Sequence, residues 1–364
     1  LFVLIFCIYL LFLAVTQVFC KSISNQHLFL RDFYSYMTIL SFGISYNSDI
    51  RKKLPIILFL IFFLFLVLSI VNISFVEVPQ VRSFYLKEFV KIKEISSNIG
   101  YTVDFTNQHR DNVFRPSYFV GGFGNIGMIG IICVPIFIAC FSILRKKIHS
   151  VILTLVLIFM FVSVLYSVSR SIIVGLVISI SIILIMKKIK LRYVLHCVII
   201  LLTIIYFTGL YKSIFIRYSN VSTDISIRYG RLALYGDAFL EAKKHLFFGI
   251  GLGELFYFEK LKIYMHIVDS LYLALILKIG LVGTLILLFF LAYLFLQGFY
   301  YLRNKNSNPT DCSERCFVLG VTAMLISFFL VGIFSYPFSN ISFNIFFFFL
   351  LGIYAKITQY AYRN

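Results

Sequence analysis

Apolar runs succeed one another along the whole chain with little polar relief. Residues 56–70, 151–166 and 281–296 are almost unbroken hydrocarbon. Crossing a bilayer as a helix takes ~20 such residues. The runs are continuous and do not alternate apolar with polar side chains, so the pattern is that of a helical membrane protein and not of a β-barrel. The fold class expected is therefore all-α and polytopic, a single membrane domain over residues 1–364.

Ten crossings are expected. Residues 1–20 form the first, read as a retained helix because no small-residue cleavage site follows it. Residues 33–46 are the weakest candidate, closed by Arg51-Lys52-Lys53. Pro55 then opens the third, in keeping with a proline in a first helical turn. A loop over 76–117 leads through Arg115 and the run Gly121 to Asn125 into the fourth helix. Residues 148–186 lie between two basic clusters and must supply two crossings, which puts the hairpin tip near Ser167 and Arg170 within one turn of it. The seventh crossing spans 193–211. A long segment over 212–280 follows, with an amphipathic helix from Arg228 and a short helix from Asp269 that ends at Gly280. The eighth crossing begins at Leu281. A basic loop over 303–315 precedes a final hairpin around Tyr336-Pro337.

Lysine and arginine collect in the short loops after the even-numbered crossings, which assigns those loops to the cytoplasm. Both termini are then cytoplasmic. The loops 76–117 and 212–280 and the tip bearing Arg170 all face outward, on the side opposite the cytoplasm.

Composition narrows the class. Hydrophobic residues make up 61% of the chain and charged residues 13%, far from the roughly 25% charged of a soluble domain. The net charge of +18 belongs partly to the short loops; an anionic lipid or pyrophosphate accounts for the rest more simply than nucleic acid does. The seven cysteines mostly fall in apolar runs and read as fillers, and Cys312 and Cys316, in the basic loop, have no second pair to complete a zinc site. No Asp-x-Asp and no P-loop pattern occurs, so neither a metal, a nucleotide sugar nor an ATP-driven step is expected, and no cofactor.

The segment from Arg228 to Gly283 gathers what chemistry the chain has. Leu232, Tyr235, Phe239, Ala242 and Leu246 recur at helical spacing, with Arg228 and Arg231 close to the same face. An arginine beside hydrocarbon is costly unless it meets an anion; snorkelling, or pairing with Asp237 or Glu241, is the other reading. His245, Gly249, Gly251 and Gly253 form a spaced run that reads either as a helix stop or as backbone open to a phosphate or sugar. Asp269 and Tyr272 share a helix face. Glu254 and His266 are rival acid–base candidates.

These pieces, in order, resemble the O-antigen ligase and polymerase superfamily of bacterial envelope proteins. Gly122-Phe-Gly-Asn125 resembles its glycine-phenylalanine-asparagine helix start. Ser169-Arg170-Ser171 is similar to its serine-arginine hairpin. Arg231 to Tyr235, then His245 to Gly253, resemble its arginine, aromatic and spaced-glycine run. Asp269-Ser270-Leu-Tyr272 followed by Gly280-Leu-Val-Gly283 is similar to its histidine-asparagine and glycine run. Three positions depart: Leu246 stands for the family's proline, Tyr235 for its tryptophan, and Asp269 for the histidine that the ligases are thought to use.

The resemblance implies a GT-C-like membrane glycosyltransferase. Its substrates, donor and acceptor alike, would be undecaprenyl-pyrophosphate-linked oligosaccharides at the periplasmic face. The Asp269 departure favours a Wzy-type polymerase over a ligase acting on lipid A core. Arg170 and Arg231 would stabilise the departing pyrophosphate, with Arg228 as substitute, and Asp269 would act as base. Arg115, Asn125, Tyr235, His245, the three glycines, Glu254, His266 and Tyr272 would line the substrate path. A flippase and a chain-length regulator are the protein partners implied. A lipid-linked oligosaccharide transporter is the rival from another class, and it predicts internal repeats that the chain lacks.

Overall fold

The computed structural model describes residues 48–77, 80, 109–110, 113–114, 125–144, 150–166, 170–188, 203, 206, 231–251, 256–258, 263–265, 268, 270–303, 312–339 and 341–363. The crossings expected over 1–20 and 33–46 lie outside these residues, as does 193–211 but for Thr203 and Tyr206.

The described chain is helical apart from two short antiparallel hairpins. In order it runs α1 (Ser48–Glu77), β1 (His109–Arg110), β2 (Val113–Phe114), α2 (Asn125–Leu144), α3 (Ser150–Tyr166), α4 (Arg170–Met186), α5 (Arg231–Lys244), β3 (Phe256–Phe258), β4 (Ile263–Met265), α6 (Leu271–Arg303), α7 (Cys312–Gly332), a 3-10 turn (Pro337–Ser339) and α8 (Ile341–Arg363). Among the described residues, α1, α2, α6 and α7 are long and apolar enough to cross a membrane. The apolar parts of α3, α4 and α8 are shorter.

Two expectations shift. The basic triplet Arg51-Lys52-Lys53 lies inside α1, which opens at Ser48, and not in a connection before it. A proline removes only its own N–H bond and crowds the turn before it, and here the helix runs through Pro55. Likewise Cys312 and Cys316 belong to α7, not to the basic loop.

The chain divides into two compact units, residues 55–222 and residues 1–54 with 223–364. In the first, α2 is the buried helix, with Ile132, Cys133, Val134 and Phe137 almost wholly covered. Gly130 lets α3 come close, since a Cβ there would fall 2.3 Å from the Val164 side chain. Phe62 of α1 packs edge-on against Phe137 at 4.8 Å. The Lys187 ammonium, just past α4, donates to the Ala139 carbonyl of α2. Exposed stripes remain on α1 (Phe59, Phe63, Ile70), α3 (Val151, Leu155, Phe159) and α4 (Val174, Val177, Ile185). Apolar side chains facing outward along whole helices are what hydrocarbon solvent permits and water does not.

In the second unit α6, α7 and α8 form the core. Gly298 of α6 is the contact point: a Cβ there would lie 1.6 Å from the Tyr354 hydroxyl of α8. That hydroxyl meets the Leu294 carbonyl at 3.2 Å and Thr322 Oγ1 of α7 at 3.1 Å. Arg315 Nη2 donates to the Leu302 carbonyl at 2.8 Å, serving one of the orphan carbonyls at the end of α6. Phe328, Phe338, Phe343, Phe347 and Phe348 fill the other end of the helix hairpin, with Phe328 and Phe347 ring centroids 4.6 Å apart.

Gly298→Ala is expected to destabilise the protein by ~1–3 kcal/mol, because Tyr354 is held by two hydrogen bonds and has little room to retreat. Thermal unfolding in detergent should show a lower midpoint. An unchanged midpoint would mean that α6 and α8 do not pack at this glycine.

Candidate functional site

The segment singled out by sequence starts with α5. Lys243 and Lys244 stand in its last turn, where cations suit the helix dipole. Its inward face is small: Ala238 and Ala242 are buried, Leu234 and Tyr235 half-buried. Phe239 and Leu240 point outward, 54% and 58% exposed. The single apolar stripe read from the sequence therefore splits, with Tyr235 and Ala242 turned inward and Phe239 and Leu246 outward. Lys244 Nζ bonds Glu241 Oε2 at 2.7 Å, and His245 Nε2 stands 3.9 Å from the other carboxylate oxygen.

The helix stops in a tight turn. The Gly249 N–H donates to the His245 carbonyl at 2.8 Å, and Gly249 takes φ 74°, a left-handed conformation natural to glycine. Residues 246–251 then run as a strap to the middle of α6.

There α6 is broken. Gly280 has φ 69° and ψ 179°, so residues before and after it form separate helical segments. A break inside an apolar helix strands backbone groups on both sides. The strap serves them. The N–H groups of Ile250 and Gly251 donate to the Leu277 and Lys278 carbonyls at 2.8 and 2.9 Å. The N–H groups of Leu281 and Val282 donate to the Leu246 and Phe247 carbonyls at 2.7 and 3.4 Å. Thr284 Oγ1 takes the Gly280 carbonyl at 2.7 Å. The exchange demands close approach from both partners. A Cβ on Gly280 would fall 2.1 Å from the Phe247 oxygen, and one on Gly249 would fall 2.5 Å from the Lys278 carbonyl.

The segment 271–279 is anchored along its length. Ser270 precedes it, and its carbonyl accepts the first helical bond, from Ala274, at 2.9 Å. The Tyr272 hydroxyl donates to the Phe329 carbonyl of α7 at 2.8 Å. Gly332 of α7 lies against Leu271, where a Cβ would fall 2.8 Å from its side chain. Lys278 is 2% exposed, with its ammonium 5.5 Å from the centre of the Tyr336 ring. Sequence reasoning missed Lys278, although it is the one charged residue in 271–302, and an ionisable group in such a run is a functional candidate by itself.

The other candidates fall as follows. Arg170 is the first residue of α4, Arg231 the first of α5 and Asn125 the first of α2. His245 is exposed at the end of α5, and Gly251 is buried in the strap. Arg115, Arg228, Gly253, Glu254, His266 and Asp269 lie outside the described residues. Placing Arg170 and Arg231 at helix starts has a consequence for charge. A cation at a helix start works against the macrodipole by ~0.3–1 kcal/mol, whereas an anion there is favoured. Among the described residues no three His, Cys, Asp or Glu side chains cluster as a metal site requires.

A family model described as O-antigen ligase matches residues 155–288. No curated protein matches the chain. The matched span opens in α3, contains Arg170, Arg231, the strap and Asp269, and closes just past the break at Gly280. It supports the resemblance to the O-antigen ligase and polymerase superfamily.

Gly249→Ala and Gly280→Ala should each undo the docking of the strap, through positive φ and direct overlap. Both variants are expected to unfold at lower temperature and to be cut faster by trypsin at Lys243 and Lys244. Gly236→Ala, whose Cβ meets nothing within 4 Å, should be neutral or stabilising by ~0.5–1 kcal/mol. Equal behaviour of all three variants would remove the strap–helix exchange.

Proposed function

We propose that this protein polymerises oligosaccharide repeat units carried on undecaprenyl pyrophosphate, at the periplasmic face of the inner membrane. The observation that carries the proposal is the O-antigen ligase family match over 155–288, because it covers the arginines, the strap and the broken helix in one span. The donor is already activated. Its anomeric carbon–oxygen bond to pyrophosphate breaks with the electron pair leaving on phosphate. The acceptor hydroxyl bonds the anomeric carbon and gives its proton to the Asp269 carboxylate.

Arg170 and Arg231 are assigned to the leaving group. A guanidinium stays ionised and presents a fork to phosphate oxygens, which an ammonium does not. Arg170 opens α4 and Arg231 opens α5, and a helix start is favourable for an anion in either case. A donor aimed at charge that develops in the transition state is worth ~3–4 kcal/mol.

Asp269 in place of the histidine of the resembled ligases favours polymerase over ligase. The matched family is that of O-antigen ligases, which favours the second reading, transfer of finished polymer to lipid A core. Deletion separates them: single repeats on the core mark a lost polymerase, bare core a lost ligase.

Arg170→Lys and Arg231→Lys should each lower turnover by ~10²–10³ at normal protein levels, read as polymer formed by purified protein from a lipid-linked repeat. Asp269→Asn should abolish transfer while donor binding survives. Full-length polymer from both lysine variants would refute the pyrophosphate role, and unchanged turnover in Asp269→Asn would move the base elsewhere.

A further inference from the structure

The residues from Phe239 to Phe248 pose a problem of their own. All but Glu241 and Ala242 are exposed. Five of them are large and apolar: Phe239, Leu240, Leu246, Phe247 and Phe248, with Phe247 63% exposed. Three are Lys243, Lys244 and His245. On α5 the arrangement is the reverse of a water-facing helix, since alanines turn inward and phenylalanine and leucine turn out.

The strap fixes the depth of this patch. Helix α6 ends at Arg303, next to the basic loop. About 20 residues cross the hydrocarbon, so counted back from Arg303 the helix leaves it near residue 283, beside the break. Leu246 and Phe247 are hydrogen-bonded to Leu281 and Val282 and so lie at that level. From there the outward side chains of α6, namely Val282, Leu285, Phe289 and Leu296, are exposed at helical spacing, Phe289 by 78%. Phe247, whose carbonyl is bonded to Val282, and its neighbour Phe248 are exposed at the start of that stripe. Lys243 lies over the Phe239 ring at 5.0 Å, and Lys244 is paired with Glu241 at 2.7 Å beside it.

The geometry points to the segment 239–248 as an interfacial membrane foot: its aromatic and leucine side chains enter the headgroup–acyl boundary of the leaflet opposite the 303–315 loop, and its lysines meet the phosphates of anionic lipid. The occupant is the bilayer itself, and the assignment holds whether or not the chain transfers glycans. Its effect would be to hold the C-terminal end of α5 and the strap at a fixed depth.

The chain has no tryptophan, so one substitution makes a unique reporter. Phe247→Trp, Phe248→Trp and, as a control inside the hydrocarbon, Phe289→Trp are placed in nanodiscs containing phosphatidylglycerol. The foot predicts blue-shifted emission from positions 247 and 248, quenched by lipids brominated high on the acyl chain and little affected by iodide. The 289 reporter should respond most to lipids brominated near the chain end. Iodide quenching at 247 and 248 without bromolipid quenching would overturn the assignment. So would shielding from both quenchers, which would mean that protein covers the patch.

Discussion

The exchange of backbone hydrogen bonds between the strap and the break in α6 is the constraint on which this end of the molecule depends. A helix interrupted within packed protein leaves buried N–H and C=O groups, each costing ~1–3 kcal/mol if unpaired. Here four of these groups are met by four groups of residues 246–251. The strap is therefore as much part of the α6 helix as its own turns are. Neither glycine can be spared, because each would drive a Cβ into the other strand of the exchange.

This assigns Gly249 and Gly251 a different first duty from the one their sequence suggests. Run as His245 to Gly253, they invite a reading of open backbone that a phosphate or sugar approaches. The backbone that approaches Gly249 most closely belongs to Lys278 and Gly280. Tyr272 is also engaged, through its hydroxyl on the Phe329 carbonyl. These contacts tie residues 246–251 to α6, and the start of α6 to α7.

Local rules recovered much of this fold. Counting residues between basic clusters placed the hairpin tip, and α3 ends at Tyr166 while Arg170 opens α4. The stop at Gly280 was readable because glycine follows a short helix just before a long apolar run. What escaped was set at long range. Nothing local pairs Leu246 with Leu281, and without that pairing the outward face of α5 could not be told from its inward face. The hairpin of β3 and β4 escaped as well, its strands being only three residues each and too short for a periodic signal. The basic triplet inside α1 misled because charge marks the membrane surface and does not itself end a helix.

Lys278 shows how the break changes the chemistry around it. A lysine inside an apolar run is expensive, yet this one is buried. It falls in the last turn of the segment that Gly280 terminates, where the helix dipole presents its negative end. The face of Tyr336 adds a second favourable surface for the ammonium. Were α6 continuous, residue 278 would sit in mid-helix with no such end to face. The interruption that obliges the strap to dock thus also makes a place for a buried cation, and the two features stand or fall together.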